Sequence, residues 1–284
     1  MKTTGKAWTC CLLGLWTAVG PGPPCRGAKI EDLGVAVRAV VFGNSQGCLA
    51  ESPSGQAGMF YIPYYSTTGG ALVGIHPRTG EHMQVPLPSQ GGYGTAVGAD
   101  GAVYIGGVNP GDLYRFQPST GKIEGLGGGQ FGGTYIWACA ASPDRQKIYA
   151  ACYPTASVLQ YDVGTSKLRN LGRMSPSEQY CRSIAVDAQG KVWVGIGTHA
   201  DLVAWDPATG EHRSVLPDQY KHNSCTYNVY ASGDHVFAEL LYDHKHLFYD
   251  VRTEKPVALL GQPPDGLSYM AARGGRDGCF YLHA

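Results

Sequence analysis

A repeat of about 44 residues constrains this chain more than any other feature of its sequence. Each copy carries a short polar turn, which reads Asp206-Pro207-Ala208-Thr209-Gly210 in its most regular form. The Thr of this turn recurs at intervals of 41, 45, 44 and 44 residues, at Thr79, Thr120, Thr165, Thr209 and Thr253. Self-similarity at a fixed period is typical of a fold built from repeated supersecondary units.

An aromatic residue inside an apolar run gives a second anchor at nearly the same period. Its positions are 43, 45, 44, 44 and 44 residues apart, at Tyr61, Tyr104, Tyr149, Trp193, Phe237 and Tyr281. In four copies another aromatic residue follows 12 positions later, at Phe116, Tyr161, Trp205 and Tyr249. Two anchors that stay in register over five copies indicate a structural repeat.

Each copy contains four runs of strand length. In the copy from Tyr180 to Leu216 these runs are 182–186, 191–196, 202–205 and 211–216, separated by segments rich in Asp, Pro and Gly. Such runs between such turns are typical of antiparallel hairpins. Four strands per copy predict an all-β fold in which each copy is one blade of a β-propeller.

The composition agrees with this fold and excludes several classes of protein. Gly occurs 41 times and Pro 18 times in 284 residues, and only 15% of the residues are charged. A helix bundle does not tolerate this much Gly, and a disordered chain would carry more charge and fewer apolar residues. Because 22 basic and 22 acidic residues cancel, we expect no nucleic-acid partner.

The last copy of the repeat is shorter than the others. It begins near Gly266 and reaches its second strand at residues 279–282, where the sequence ends at Ala284. Because a half-built blade leaves strand edges unpaired, we expect five blades plus a partial sixth, forming part of a ring of six to eight blades. An alternative is that residues 29–52 supply outer strands to the final blade.

Residues 1–27 differ from the predicted propeller domain at 28–284. Lys2 and Lys6 are followed by an apolar run at 7–20 and by a Pro- and Gly-rich stretch at 21–24. A basic start, a short apolar run and small residues before a cut after Gly27 are typical of a secretory signal peptide. Since the run is too short to cross a bilayer, we expect a secreted or periplasmic protein without a membrane span.

Six of the nine cysteines follow this leader, and their spacing is not that of metal ligands. They are Cys48, Cys139, Cys152, Cys181, Cys225 and Cys279. In an exported protein this even number allows one or two disulfides. As small apolar residues within strands, the same cysteines would instead be buried free thiols.

The turn after Trp205 resembles the corner of known propeller repeats. Its pattern, an aromatic residue and Asp followed by Thr-Gly at Trp205–Gly210, is similar to the corner shared by WD40, YVTN, NHL and quinoprotein-type propellers. The Trp-Asp pair occurs once, and no Gly-His pair opens a blade. Among exported propellers, the layout is loosely similar to polysaccharide lyases, and this resemblance implies a carbohydrate ligand.

The predicted blades also predict where a site would lie. In a propeller the first strand of each blade lines the central channel and begins on the same face as the loop between the second and third strands. Side chains two residues apart lie on the same side of a strand. A position near the start of this first strand and the position two residues before it therefore share one side. With the loop position added, one face collects Tyr93, Tyr135, Trp137, Tyr180, Arg182, Tyr227, His199 and His244.

These side chains suit an anionic carbohydrate. Aromatic faces stack on sugar rings, and Tyr and Arg supply oriented hydrogen bonds. Cleavage of a uronate by β-elimination needs a cation for the carboxylate, a base for the C5 proton and an acid for the leaving oxygen. We assign Arg182 to the first role, His199 or Tyr180 to the second, Tyr227 or Tyr180 to the third, and Tyr93, Tyr135, Trp137 and His244 to substrate binding.

Other interpretations stay open at this point. Aromatic residues commonly plug a propeller channel, and the protein would then be a non-catalytic scaffold that binds a glycan or a protein. The Gly-rich run at 125–129 is not followed by the Lys-Ser/Thr of a phosphate loop, and we predict no cofactor. The polar run Asp243–His246 has metal-ligand types, but surface loops often carry them, and we predict no metal site.

Overall fold

The computed structural model of this protein describes residues 46–259, Asp265, residues 273–274 and residues 280–281. The predicted signal peptide lies outside these residues, as do Cys279 and most of the partial sixth copy. The strands of the described part form consecutive units of four, here called blades 1 to 5.

Blade 1 comprises β1 (Cys48–Glu51), β2 (Ala57–Tyr64), β3 (Ala71–Ile75) and β4 (His82–Pro86). Blade 2 comprises β5 (Gly91–Val97), β6 (Val103–Val108), β7 (Leu113–Gln117) and β8 (Lys122–Gly127). Blade 3 comprises β9 (Tyr135–Ala141), β10 (Lys147–Tyr153), β11 (Ser157–Asp162) and β12 (Lys167–Arg173). Blade 4 comprises β13 (Tyr180–Val186), β14 (Val192–Gly197), β15 (Asp201–Trp205) and β16 (His212–Ser214). Blade 5 comprises β17 (Thr226–Ser232), β18 (His235–Leu240), β19 (His246–Asp250) and β20 (Lys255–Val257).

The remaining elements are short. Two single-turn 3-10 segments occur at Gly129–Phe131 and Asp218–Tyr220. Strands β21 (Arg273–Gly274) and β22 (Phe280–Tyr281) pair antiparallel, and β22 falls within the strand predicted at 279–282.

Each blade is an antiparallel meander, in which every strand pairs with the next one along the chain. One further pairing, Val108 with Tyr135, joins blades 2 and 3 into an eight-stranded sheet. The prediction of four-stranded repeat units is therefore confirmed, with strand ends that differ from those predicted for 180–216 by at most two residues. The number of blades in a complete ring stays a prediction.

The first blade corrects one alternative from the sequence for residues 46–52, while residues 29–45 of the same segment lie outside the described part of the chain. Residues 48–51, within the segment 29–52 that was a candidate for outer strands of the final blade, form β1 and pair with β2. They are the first strand of blade 1, because hairpin pairing between neighbours in sequence is available there without a long connection.

The repeated turns have a common hydrogen-bond pattern. At the turn after β15, the carboxylate of Asp206 accepts from the backbone N–H of Ala208 at 2.8 Å, and Gly210 N–H donates to the Asp206 carbonyl at 2.8 Å. Gly210 has φ +78°, a conformation that Gly adopts without steric cost. In blade 1 the Asp is replaced by His76, whose Nδ1 accepts the equivalent N–H groups of Arg78 and Thr79.

The aromatic anchors lie between blades. Tyr61, Tyr104, Tyr149, Trp193 and Phe237 are all 0–1% exposed. Four core clusters each combine two consecutive blades, such as Tyr149 of blade 3 with Trp205 of blade 4. Face-to-face packing of successive sheets is thus what buries the apolar side of each blade.

The first strands lie next to one another at the centre. Strand β9 contacts both β5 and β13, and β13 contacts β17. Here the backbones approach so closely that a Cβ added at Gly94 of β5 would lie 2.5 Å from the backbone nitrogen of Cys139 in β9. The first strands therefore line the central channel, as the sequence predicts.

Candidate functional site

A β-bulge in the first strand of four successive blades positions the predicted site residues. Cross-strand pairing skips Trp137, Arg182 and Tyr227, each of which lies between two paired residues of its strand. In blade 2, Tyr93 and Gly94 together lie opposite Gly106. A bulge releases one residue from the ladder and redirects its side chain, and here it does so at the same height in each blade.

Arg182 lies between two aromatic rings contributed by its neighbours. Its guanidinium carbon is 4.8 Å from the centroid of a Trp137 ring and 4.3 Å from that of Tyr227. Among the described residues, no carboxylate forms an ion pair with Arg182. Because the two rings cover the faces of the guanidinium, a planar anion would bind to the N–H groups along the edge of the guanidinium.

The other predicted aromatic residues continue this cluster. Ring centroids are 4.6 Å apart for Tyr93 and Trp137, 5.1 Å for Tyr135 and Trp137, and 6.1 Å for Trp137 and Tyr180. The structure thus brings together six of the eight predicted residues. We call the group of Tyr93, Tyr135, Trp137, Tyr180, Arg182 and Tyr227 the channel mouth.

Two members of the cluster were missed at the level of sequence. Tyr65 stacks on Tyr93 at 5.9 Å, and Tyr153 lies 4.2 Å from Tyr180. Tyr65 directly follows β2, and Tyr153 is the last residue of β10. Both strands are second strands, and they end on the face where the first strands begin. The repeat offered a signal for Tyr153, which aligns with Gly197, two residues before the loop position of His199.

A cavity of about 250 Å³ opens beside Arg182, between blades 4 and 5. Its lining is mostly apolar and consists of Tyr180, Arg182, Gly197, Thr198, Ser224, Cys225, Tyr227 and Leu241. The loops after the second strands, at Gly197–Thr198 and Leu241, thus form its wall together with the starts of the first strands. Of the predicted site residues, Tyr180, Arg182 and Tyr227 line this cavity.

Two phenols at the channel mouth, Tyr93 and Tyr180, favour the protonated state. Burial, with the neighbouring Tyr65, raises the pKa of Tyr93, although the charge of Arg182 acts in the opposite direction. Burial also raises the pKa of Tyr180, and its hydrogen bond with Tyr153 adds to this effect. These phenols are therefore hydrogen-bond donors at neutral pH, which suits Tyr180 as an acid better than as a base.

Trp137 provides a hydrogen-bond donor that has no acceptor among the described residues. Its indole Nε1 is buried and has no hydrogen-bond partner in the described part of the chain. Buried N–H groups in folded proteins are almost always paired. This N–H is therefore an unsatisfied donor of a ring that also contacts the Arg182 guanidinium.

His199 lies at the rim rather than within the cluster. Its imidazole is 81% exposed, and Nδ1 is 2.9 Å from Oε1 of Glu178. Burial acts to raise the pKa of Glu178, but hydrogen bonds from His199 and Thr198 hold it below its usual value. Glu178 was missed because it lies in the connection before β13, outside the strand and loop positions that the repeat compares.

His244 does not line the cavity. Its Nδ1 is 3.7 Å from Oε1 of Glu239, whose side chain is 1% exposed. Glu239 also accepts from Nδ2 of Asn228 at 2.5 Å. The prediction that His244 helps bind a ligand at the channel mouth therefore has no support in its contacts.

The described cysteines are buried. Cys139, Cys152, Cys181 and Cys225 are free cysteines, so the buried-thiol alternative is confirmed for these four. Burial raises the pKa of Cys152 and of Cys225 to about 12. Cys225 therefore contributes a neutral wall to the cavity rather than a nucleophile.

The opposite end of the channel differs in chemistry. A second cavity of about 220 Å³ is lined by Gln46, Thr95, Cys139–Ala141, Ile184–Val186 and Val229–Ala231. It contains no charged side chain among the described residues. Within the described part of the channel, Arg182 therefore lies at the end opposite this cavity.

The described residues set two further limits. They contain no group of three or more His, Cys, Asp or Glu side chains placed to hold a metal ion. They also contain no helix with the length and apolar character needed to span a membrane.

Comparison with known proteins agrees with the architecture. No protein-family model matches the chain, and no curated protein sequence does so. Among solved structures, the WD40 repeats of RRP9 are similar with a TM-score of 0.59 and 11% identity, covering 77% of this chain and 64% of that one. A virginiamycin B lyase from Staphylococcus aureus gives a TM-score of 0.54 and 14% identity, with 72% and 69% covered.

The extracellular domain of a one-component system from B. thetaiotaomicron gives a TM-score of 0.52 and 17% identity. This match covers 64% of the present chain but only 25% of that domain's chain. At such identities the likeness concerns the fold alone. The chain is therefore similar in fold to β-propeller proteins, including those with WD40 repeats.

Proposed function

We propose that the channel mouth binds a ligand that carries a carboxylate beside a ring, with uronate-containing glycans as the class. The observation that carries this proposal is the guanidinium of Arg182 between the Trp137 and Tyr227 rings, without a described carboxylate partner. A cation in this position takes an anion. The unpaired Trp137 Nε1 supports an acceptor oxygen at the same place.

The aromatic walls support a ring rather than a simple anion. Tyr135 and Trp137 are stacked with an interplanar angle of 14°, and Tyr93 and Tyr180 extend this apolar surface. The cavity of about 250 Å³ has room for roughly one sugar unit. A small inorganic anion would leave these surfaces uncovered.

The test is a binding measurement on the full chain with uronate oligosaccharides, their neutral carboxyl-reduced counterparts, and inorganic sulfate. The proposal predicts binding of the uronate form, weaker binding of the neutral form and weakest binding of sulfate. Equal binding of the uronate and neutral forms would overturn the role of Arg182. No binding of any glycan would favour the alternative, a scaffold that takes a protein ligand.

A second candidate function is cleavage of the bound uronate by β-elimination. The observation that favours it is the Glu178–His199 pair, in which His199 directly follows Thr198 of the cavity wall. One solved structure of similar fold is also a lyase, although that likeness carries the fold only. The test is the appearance of an unsaturated uronate, detected by ultraviolet absorbance and mass spectrometry, which a purely binding protein would not produce.

We also propose that the protein is exported and that its ring contains six to eight blades. The cluster of Phe237 and Phe248 on blade 5 packs against Phe280, with ring centroids 6.0 and 5.5 Å apart. These contacts support a sixth unit that packs against blade 5 in the way that each blade packs against the blade before it. Reading the messenger RNA beyond the codon for residue 284 tests the ring size, and N-terminal sequencing of secreted material tests the leader.

A further inference from the structure

The carboxylate of Glu178 accepts four hydrogen bonds from two consecutive residues of the loop between β14 and β15. Oε2 accepts the backbone N–H of Thr198 at 2.5 Å, the Thr198 hydroxyl at 3.2 Å and the backbone N–H of His199 at 3.0 Å. Oε1 is 2.9 Å from Nδ1 of His199. The Glu178 side chain is 11% exposed, whereas the His199 imidazole is 81% exposed, so the carboxylate is covered by the loop that it holds at the surface.

The direction of the fourth bond follows from the chemistry of the partners. An ionised carboxylate only accepts hydrogen bonds, so Nδ1 of His199 must carry a proton. A neutral imidazole has a single N–H, which leaves the lone pair on Nε2. No described residue forms a hydrogen bond with Nε2, and the ring is 81% exposed.

We infer that Glu178 is a positioning residue, which fixes the Nδ1–H tautomer of His199 and thereby makes Nε2 the proton acceptor at the rim of the channel mouth. The inference rests on the proposed function, because the ligand held by Arg182 is what would supply the proton. A carboxylate that orients an imidazole in this way is a general device for a base.

The repeat shows which part of this arrangement is structural. In blade 5 the equivalent positions are Asn223 and Asp243, and they also bond, with Asp243 N–H donating to Oδ1 of Asn223 at 2.8 Å. A side-chain bridge from the connection to the loop is therefore a feature of both blades. Blade 5 also has an imidazole in this bridge, since Nε2 of His222 in the connection is 2.8 Å from Oδ2 of Asp243 in the loop. In blade 4 the order is reversed, with the carboxylate in the connection and the imidazole of His199 in the loop beside the cavity.

The proton transfer in β-elimination would proceed as follows. Nε2 of His199 takes the C5 proton, and the C5–H electron pair forms the C4–C5 double bond. The bond from C4 to the glycosidic oxygen breaks, and that oxygen takes a proton from a phenol such as Tyr227 or Tyr180. No oxidant, reductant or cofactor enters this balance.

The tautomer is measured in the free protein. Long-range ¹⁵N–¹H correlation spectra of the full chain distinguish a protonated from an unprotonated imidazole nitrogen, and His199→Asn identifies the signals. We expect a protonated Nδ1 and an unprotonated Nε2 at neutral pH. A protonated Nε2 with an unprotonated Nδ1 would overturn the inference.

Glu178→Gln is the decisive variant, because it keeps the shape of the side chain. Its carbonyl accepts the backbone N–H groups of Thr198 and His199, while its NH₂ group donates to Nδ1. The proton of His199 must then move to Nε2, and the spectrum should show this exchange. An unchanged tautomer would contradict the inference, and Glu211→Gln, at an exposed turn, is the control that leaves the His199 signals in place.

Binding and rate measurements with a ligand distinguish this inference from the proposed function. With uronate oligosaccharides, Glu178→Gln should change the Kd by less than about tenfold, since Arg182 is intact. The rate of β-elimination by Glu178→Gln should fall by roughly 10²- to 10⁴-fold relative to wild type, the usual contribution of a positioned base. A correct tautomer without uronate binding would overturn the proposed function alone, and binding with the wrong tautomer would overturn the inference alone.

Discussion

The guanidinium carbon of Arg182 lies 4.3 Å from the centroid of the Tyr227 ring, although the two residues belong to different blades. Both occupy the bulge of a first strand, where pairing with the second strand skips one residue. The contact between them is therefore a consequence of the repeat itself. Bulges at equal heights in neighbouring blades bring their released side chains together.

Replacement of Arg182 by Lys should weaken carboxylate binding by about tenfold or more. The ammonium group keeps the charge but loses both the planar fork that matches a carboxylate and the stacking on Trp137 and Tyr227. Isothermal titration calorimetry with a uronate oligosaccharide measures the change. Arg252→Lys, at a turn between third and fourth strands, is the matched control, and an equal loss there would point to a non-specific charge effect.

The close approach of the first strands predicts a sharp contrast between two glycines. Gly94→Ala should lower the free energy of unfolding by about 1–3 kcal/mol, because the new Cβ meets the backbone of β9. Gly164→Ala should be neutral or slightly stabilising, since its Cβ has only ordinary contacts at 3.7 Å. Urea unfolding curves compare the two variants, and equal stability would contradict the packing at the centre.

Much of the fold and part of the site follow from the sequence. The two repeat anchors predict the blades and place Trp137, Arg182 and Tyr227 at equivalent positions of their first strands. The bulge that directs these side chains to one place depends on cross-strand register, which the composition of a strand does not reveal. His244 illustrates this limit. Its position in a loop does not show whether its side chain lines the cavity or lies beside the buried carboxylate of Glu239.

Glu178 shows a different limit of the sequence. The connection before β13 has no strand pattern, and its only link with the loop of His199 is a set of hydrogen bonds across 21 residues of chain. Such a contact is fixed by tertiary structure. A search of the connections for polar residues at equivalent positions, such as Asn223 in blade 5, is the signal that would have found it.

Buried thiols should react only when the protein unfolds. Burial raises the pKa of Cys152 and Cys225 to about 12 and also raises those of Cys139 and Cys181, so little thiolate exists at pH 8. Alkylation followed by peptide mass spectrometry should find these cysteines unmodified in native protein and fully modified in denaturant. Rapid native modification of Cys225 would show that the cavity wall is open.

The lowered pKa of Glu178 predicts a pH-dependent contribution to stability. A carboxylate whose folded pKa lies below its unfolded value of about 4.3 stabilises the fold above that pH, and the contribution is lost as pH falls through the folded pKa. Wild type should therefore exceed Glu178→Gln by about 1 kcal/mol near neutral pH.

Below about pH 4 this difference should shrink towards zero. Thermal unfolding of both proteins from pH 3 to 7 measures it. A difference that is constant over this range would show that the charge of Glu178 has no part in holding the loop.

The most direct test of the central claim is a thermodynamic cycle between Arg182 and the ligand carboxylate. Kd values are measured for wild type and Arg182→Gln, each with a uronate oligosaccharide and with its carboxyl-reduced counterpart. We predict a coupling free energy of about 1.5–3 kcal/mol, as expected for a hydrogen-bonded charge pair. A coupling of zero, with the variant losing as much affinity for the neutral ligand as for the uronate, would contradict an anion site at the channel mouth.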